Sequence, residues 1–473
     1  MAFGNTIPSC SAKDEFLENN SSKKSDKKHK KFRFSMFFDG TNNNKANIQA
    51  RLESTDENFI GPVQGKVQFK KYGGKDTSYE NYYTNIVFLE RYMLPLPKNK
   101  YDKHYPIYIE GIGTSDFQSD STIGLGFGKG DYGVDKKVER GLKEIVNMIK
   151  AEVSDKENTI VDNIDIDIFG FSRGAAAARF FIYMALESED LAIKKQLSDY
   201  SISEIKFCFG GLFDTVASYG PWNTFWENSN TADLQLNSIA VAEKVVHLCA
   251  ADEHRKNFSL TNINSAGGDE YFLPGVHSDI GGGYNDNVIE EELQIIDKDT
   301  FYLTAGDKQK ILQDIKYLIE KGWFYKNEII GESTYDKNET TITDADIIDS
   351  INFTNEIYVT RKGEGKGISN KYSLIFLHLM KKEAVSSGLK FIGQIERDSE
   401  TKISSELIEI QKFINSHLGN CKSKPNYWEN NSSEILKKIR HNYCHFSAYY
   451  GEIAGANNPK FIDDKRTRII HNG

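Results

Sequence analysis

The chain has 473 residues, 39% of them apolar and 27% charged, with a formal net charge of −9. That length allows one large α/β domain with insertions, or two or three average domains, around a real core. The acidic balance gives no reason to expect nucleic acid as a partner, and no apolar run reaches the roughly 18 residues of a membrane-spanning helix.

In chain order, residues 1–30 lack the apolar core of a signal peptide and collect Lys23, Lys24, Lys27, Lys28 and Lys30. They read as a disordered basic tail. The cysteines Cys10, Cys208, Cys249, Cys421 and Cys444 show no paired spacing. That argues for synthesis in reducing cytosol, with neither a disulfide framework nor a zinc site.

From residue 31 the character changes. Phe32-Arg33-Phe34-Ser35-Met36-Phe37-Phe38 is a buried-strand candidate closed by Asp39-Gly40-Thr41-Asn42-Asn43. A helix is expected over 85–94 and a short strand over 106–109, followed by Glu110-Gly111-Ile112-Gly113-Thr114. The glycine-rich run 124–130 fails the phosphate-loop spacing and reads as a flexible loop. Val134, Val138, Leu142, Ile145 and Ile149 then mark one face of a long amphipathic helix.

Next comes Ile164-Asp165-Ile166-Asp167-Ile168-Phe169, an alternating strand, and Gly170-Phe171-Ser172-Arg173-Gly174, a match to G-x-S-x-G. Ala175 to Ala178 then open a helix. A serine on so tight a strand-to-helix turn projects its hydroxyl into open space, which makes Ser172 the candidate nucleophile. The plainer reading is a serine that only caps the helix. Further strands are expected over 205–210 and 245–251. The segment from Glu270 runs into Pro274-Gly275-Val276-His277-Ser278-Asp279-Ile280-Gly281-Gly282-Gly283-Tyr284.

Each strand ends in polar, reactive side chains, as in a sheet that builds a site along one edge. The economical fold is α/β: α/β-hydrolase-like, a mostly parallel, doubly wound sheet over 31–290. Residues 291–473, rich in Lys, Glu and Ile, read as a mostly helical cap or accessory region. Within it the apolar segment 374–380 suits a core helix or a lid.

A serine hydroxyl is inert at neutral pH unless an imidazole takes its proton and an acid orients that imidazole. The chain order serine, acid, histidine favours His277, with His254 second and His247 read as a core histidine. Asp214 is the leading acid and Asp252 the runner-up, while Asp279 lies too close to His277 in sequence to orient its ring. The oxyanion hole is expected from the backbone N–H of Arg173 with Gly40 and Thr41. Asp39, Asp214, Asp252, Asp279 and His277 could gather around a metal, calcium included, but no H-x-x-x-H, C-x-x-C or EF-hand pattern supports one. No metal or other cofactor is expected.

Five ordered motifs around Asp39, Glu110, Ser172, Asp214 and His277 together resemble the catalytic domain of the first family of type VI secretion system lipase effectors. The resemblance covers residues 32–284. It implies an α/β-hydrolase-like domain with phospholipase A activity on bacterial membrane phospholipids, and a triad of Ser172, Asp214 and His277. It also implies a secretion spike or tube component and a cognate immunity protein as partners. The protein would be made in the producer's cytoplasm without a signal peptide and delivered into the envelope or periplasm of a target cell. A cytosolic esterase of soluble esters and a non-catalytic, hydrolase-like interaction module are the alternatives.

Overall fold

The computed structural model describes residues 27–55, 63–121, 130, 132–217, 234–297, 304–331, 345, 347, 357–361, 365, 367–451 and 457–473. Most of the glycine-rich run 124–130 and residues 1–26 of the expected tail lie outside the described residues.

Six strands form one parallel sheet: β1 (Lys28–Phe38), β2 (Lys103–Ile109), β3 (Thr159–Phe171), β4 (Ser201–Phe213), β5 (Val245–Ala250) and β6 (Asp269–Leu273). Their order is β2-β1-β3-β4-β5-β6. The chain builds outward on one side of β1 with β2, then crosses to the other side with β3. The switch point therefore lies between the C-terminal ends of β1 and β3, where open α/β sheets bind ligands.

β1 begins at Lys28, so residues 28–30, assigned to the tail by composition, are strand. Parallel pairing with both β2 and β3 buries every residue from Phe32 to Phe38. The same double burial explains β3, whose alternation of Ile and Asp looks half-exposed in sequence. Asp167 is fully buried there, held by the Arg33 guanidinium at 2.6 and 2.9 Å and by the Ser35 hydroxyl at 2.8 Å.

Helices cover the sheet. α1 (Asn85–Tyr92), α2 (Val134–Glu152) and α3 (Arg173–Glu187) precede α4 (His277–Gly281), α5 (Ala305–Glu320), α6 (Ser373–Ser386), α7 (Ser405–Cys421) and α8 (Glu434–Asn442). α2 buries Val134, Val138, Leu142, Ile145 and Ile149, the stripe visible in the sequence. With Ala175 to Ala178 of α3 it joins a core that includes Met36, Phe38, Ile166 and Ile168. The alternate side chains Phe37, Phe169, Phe209 and Phe213 share a second core with α1 and α6. The apolar segment 374–380 is thus a core helix, α6, which packs against α1, α4 and β5.

Among the described residues after 290, α5 to α8 are accompanied by short strands. Glu290–Gln294, Ile329–Gly331 and Ile357–Arg361 form a separate antiparallel sheet. Arg361, fully buried, ties that sheet to the end of α8: it pairs with Glu290 and donates to the carbonyls of Arg440, His441 and Cys444. The last residues then return to the main sheet region. Ile470–His471 pairs with Leu260–Thr261, and the Leu260 amide donates to the Ile469 carbonyl at 2.9 Å.

Candidate active site

Ser172 follows the last residue of β3 with φ 59° and ψ −130°. An L-residue held there stores backbone strain that the surrounding structure must over-determine. The Ser172 amide donates to the Phe213 carbonyl at 3.0 Å, and its carbonyl accepts from Ala175 at 3.0 Å and Val216 at 3.3 Å. Although Ser172 is the residue before the helix, its side chain makes no capping hydrogen bond. That speaks against the reading of a mere cap.

The flanking glycines answer to close approach. A Cβ on Gly174 would lie 2.2 Å from the Asp39 carbonyl oxygen, and one on Gly170 would lie 2.5 Å from the Ala175 Cα. The Ser172 turn is thereby pressed against the end of β1. On that neighbouring loop the Thr41 hydroxyl accepts from Arg173 Nε at 2.6 Å, which pins the start of α3 to it. The Gly40 amide donates to its neighbour's carboxylate, Asp39 Oδ1, at 2.8 Å. Of the two loop amides expected to face an oxyanion, Gly40 is therefore engaged.

Asp39 is buried among three donors: the Gly40 amide, the Thr84 hydroxyl at 2.8 Å and the Tyr108 hydroxyl at 2.7 Å. Burial nevertheless dominates and pushes its pKa up to about 6.

Asp214 sits just past β4 with φ 43°, and the structure brings it to His277. Its Oδ2 meets His277 Nδ1 at 2.6 Å. The carboxylate is fully buried and saturated: Oδ1 accepts from the Ala250 amide at 2.8 Å, and Arg468 spans both oxygens at 2.7 and 2.8 Å. Burial opposes its ionisation, but the Arg468 charge and the His277 hydrogen bond outweigh that and hold it well below the usual carboxylate range.

His277 is the first residue of α4 rather than the end of a strand. Its ring is buried between Phe171, 4.6 Å away between centroids, and Phe258, 4.9 Å away and edge-on. Phe171 immediately precedes Ser172, so the histidine lies against the start of the Ser172 turn. Burial lowers the His277 pKa below its ordinary value against the opposing pull of Asp214, which keeps the ring neutral at pH 7. The His277 amide donates to Glu253 Oε2 at 3.2 Å, and Glu253 in turn holds the Arg255 guanidinium at 2.8 and 3.0 Å.

The other sequence candidates go elsewhere. Asp252 accepts from the Gly275 amide at 2.9 Å and from Arg440 at 2.8 Å. Asp279 caps its own helix through the Val276 amide at 3.0 Å and holds His445 Nδ1 at 2.8 Å. His254 is buried and does not touch Asp214 or Asp252 by hydrogen bond. His247 is a bonded core histidine: its Nε2 accepts from the Thr215 amide at 3.0 Å and its Nδ1 meets Glu270 at 2.9 Å. His247, Cys249 and Glu270 come within 4.8 Å of one another. With both nitrogens of the histidine engaged, the trio supports the residue after Asp214.

Sequence reasoning did not single out Arg468, Glu253 or Phe258. A lone Arg in a polar terminus carries no local signal. Glu253 sits in the polar strand-end cluster that drew attention to His254 and Asp252, and that cluster was the only available hint.

A parallel sheet with a strained serine turn at its switch point, and a buried Asp–His pair beside it, fits a hydrolase-like α/β fold. Comparison with known proteins narrows this. Residues 186–298, which carry Asp214 and His277 and begin beyond Ser172, match the family "T6SS, Phospholipase effector Tle1-like, catalytic domain". The chain resembles that family, as its motifs suggested. It is also similar to the solved Tle1 effector bound to the VgrG spike of the type 6 secretion system, with 23% identity and a TM-score of 0.61 over 94% of both chains. The fold likeness thus extends well past residue 284, through the C-terminal region. An uncharacterized Pseudomonas aeruginosa protein is 17% identical over 84% of this chain and 52% of its own, with a TM-score of 0.39. No curated protein matches the chain. No helix among the described residues is long and apolar enough to cross a membrane.

Proposed function

We propose that the chain is a serine hydrolase of the phospholipase A type, an α/β-hydrolase-like enzyme whose doubly wound sheet positions Ser172, Asp214 and His277 as its triad. The observations that carry this reading are a strained, uncapped Ser172 and, packed on the Phe171 ring that precedes it, a buried histidine held by Asp214 at 2.6 Å.

In the reaction, Ser172 Oγ attacks the ester carbonyl of a phospholipid acyl chain while the second nitrogen of His277 takes its proton. Asp214 keeps Nδ1 protonated and stabilises the imidazolium that forms. The oxyanion is met by the Arg173 amide at the start of α3, with Thr41 supplying the second donor. Collapse of the tetrahedral intermediate returns the proton from His277 to the departing lysophospholipid oxygen and leaves an acyl-enzyme. Water, deprotonated by the same nitrogen, then releases the fatty acid and restores Ser172.

The Tle1 match to a spike-bound effector supports a wider reading. This chain would dock on a secretion spike or tube component, be neutralised in its producer by an immunity protein, and act on membranes in the envelope of a target cell. The test is fatty-acid release from phosphatidylethanolamine/phosphatidylglycerol vesicles. Release by the wild type and none by Ser172→Ala or His277→Ala is expected. Equal release by a folded Ser172→Ala variant overturns the serine mechanism.

A further inference from the structure

A cavity of about 400 Å³ lies beyond the C-terminal end of β5, between the 425–430 segment and the C-terminal arm 465–470. Ser172 does not line it. Its size is in the lower range of small-molecule sites. Two groups on its wall lack partners. His254 is 8% exposed, and neither of its ring nitrogens has a hydrogen-bond partner among the described residues. The ring is on the cavity wall, so its nitrogens are open to whatever polar group the cavity holds. Lys465, at the exposed side, makes no ion pair among the described residues.

The charge of the wall has a sign. Lys465, Arg466 and Arg468 all line the cavity, three cations within four consecutive residues. The two acids that line it are already committed. Asp252 is held by Arg440 and the Gly275 amide, and Glu429 by the Tyr317 hydroxyl at 3.0 Å and Lys321 at 3.1 Å. Arg466 and Arg468 are likewise neutralised by Asp314 and Asp214, so Lys465, His254 and the Asn426 amide are what remain to bond a ligand, and the one cation among them gives the wall its sign.

We propose that this cavity binds an organic phosphate of about glycerol-phosphate size. A phosphate group takes the Lys465 ammonium and the His254 N–H, and the hydroxyl-bearing remainder fits the amide-lined and aromatic walls. A lysine without an ion pair among the described residues, set beside neutral donors, suits an oxyanion better than a cationic ligand. The site also touches the proposed reaction centre at second hand, because two of its wall residues, Ala250 and Arg468, are the groups that hold Asp214. The binding claim does not rest on the hydrolase reading and is tested without turnover.

The experiment is titration calorimetry on the full-length Ser172→Ala variant, with glycerol 3-phosphate and inorganic phosphate as probes. Sedimentation with phosphatidylglycerol vesicles forms a second arm. Saturable binding of glycerol 3-phosphate is expected, weakened at least tenfold by Lys465→Gln and by His254→Ala. Lys465 is exposed, so its variant stays informative even if His254→Ala unfolds. Vesicle binding that Lys465→Gln abolishes, with no binding of the soluble probe, places the phosphate on a lipid head group. Absence of binding in both arms, or binding unchanged in both variants, overturns the proposal.

Discussion

Arg468 grips both oxygens of Asp214, at 2.7 and 2.8 Å, from 254 residues further along the chain. The carboxylate that orients His277 is therefore neutralised on its other side by a residue of the C-terminal arm. In the proposed triad Arg468 is a positioning residue: it holds the rotamer of Asp214 and tempers the negative field felt by His277. Arg468→Met is expected to lower kcat/KM by about one to two orders of magnitude, in the range of lost positioning contacts. Removing a cation also favours the imidazolium, so the acid limb of the pH profile moves to higher pH. Leaving a buried charge unpaired should cost about 3–5 kcal/mol of stability. Arg468→Lys keeps the charge without the fork and should fall between. A Met variant with an unmoved acid limb would show the pair to be structural only.

The strain at Ser172 gives an independent handle. Its φ of 59° with ψ of −130° suits glycine, whereas alanine retains the strain. Ser172→Gly should therefore be more stable than Ser172→Ala by about 1 kcal/mol, while both lose activity by several orders of magnitude. Thermal unfolding of the two variants side by side decides it, and equal stability would mean that the turn is not strained.

What could be read from the sequence is what the chain writes locally. Ser172, its two glycines and the Ala run are contiguous, and the stripe from Val134 to Ile149 repeats at helical spacing, so strand, turn and helices were visible. Chain order, strand-end placement and the family resemblance pointed to Asp214 and His277, but none of them gave a physical reason to prefer Asp214 over Asp252. That reason is tertiary: Asp252 is committed to Arg440 and the Gly275 amide. The partners of the site were hidden for the same cause. Arg468 reaches Asp214 only because the terminal segment returns along Leu260–Thr261, and the small antiparallel sheet begun at Glu290 is built from strands too short to announce themselves. Buried charge misled as well, since Asp167 looks solvent-facing until Arg33 is seen beside it.

Gly174 tests the contact between the Ser172 turn and β1. A methyl there would meet two backbone carbonyls, Asp39 at 2.2 Å and Phe38 at 2.5 Å, neither of which can swing away like a side chain. Gly174→Ala is expected to cost about 1–3 kcal/mol through overpacking and to displace the Thr41 loop, so activity should fall further than stability alone explains. Denaturant unfolding together with vesicle turnover checks both. A variant with wild-type stability would mean that the loop yields freely.

Glu253 contributes to the acid edge of stability alongside Asp214. It is fully buried; burial resists its ionisation, but the Arg255 guanidinium and its hydrogen bonds win and bring the pKa down to about 2. A carboxylate depressed in the folded state contributes stability that is fully present above its unfolded value near 4.5 and is lost as pH falls through about 2. Across that window the protein should unfold cooperatively, and Glu253→Gln should make its stability less steep in pH while lowering it at neutrality. Because the His277 amide donates to this carboxylate, the variant should also loosen α4 and reduce turnover at pH 7. Urea midpoints measured between pH 2 and 7 for both proteins provide the check. Parallel curves for wild type and variant would assign the acid transition to other carboxylates.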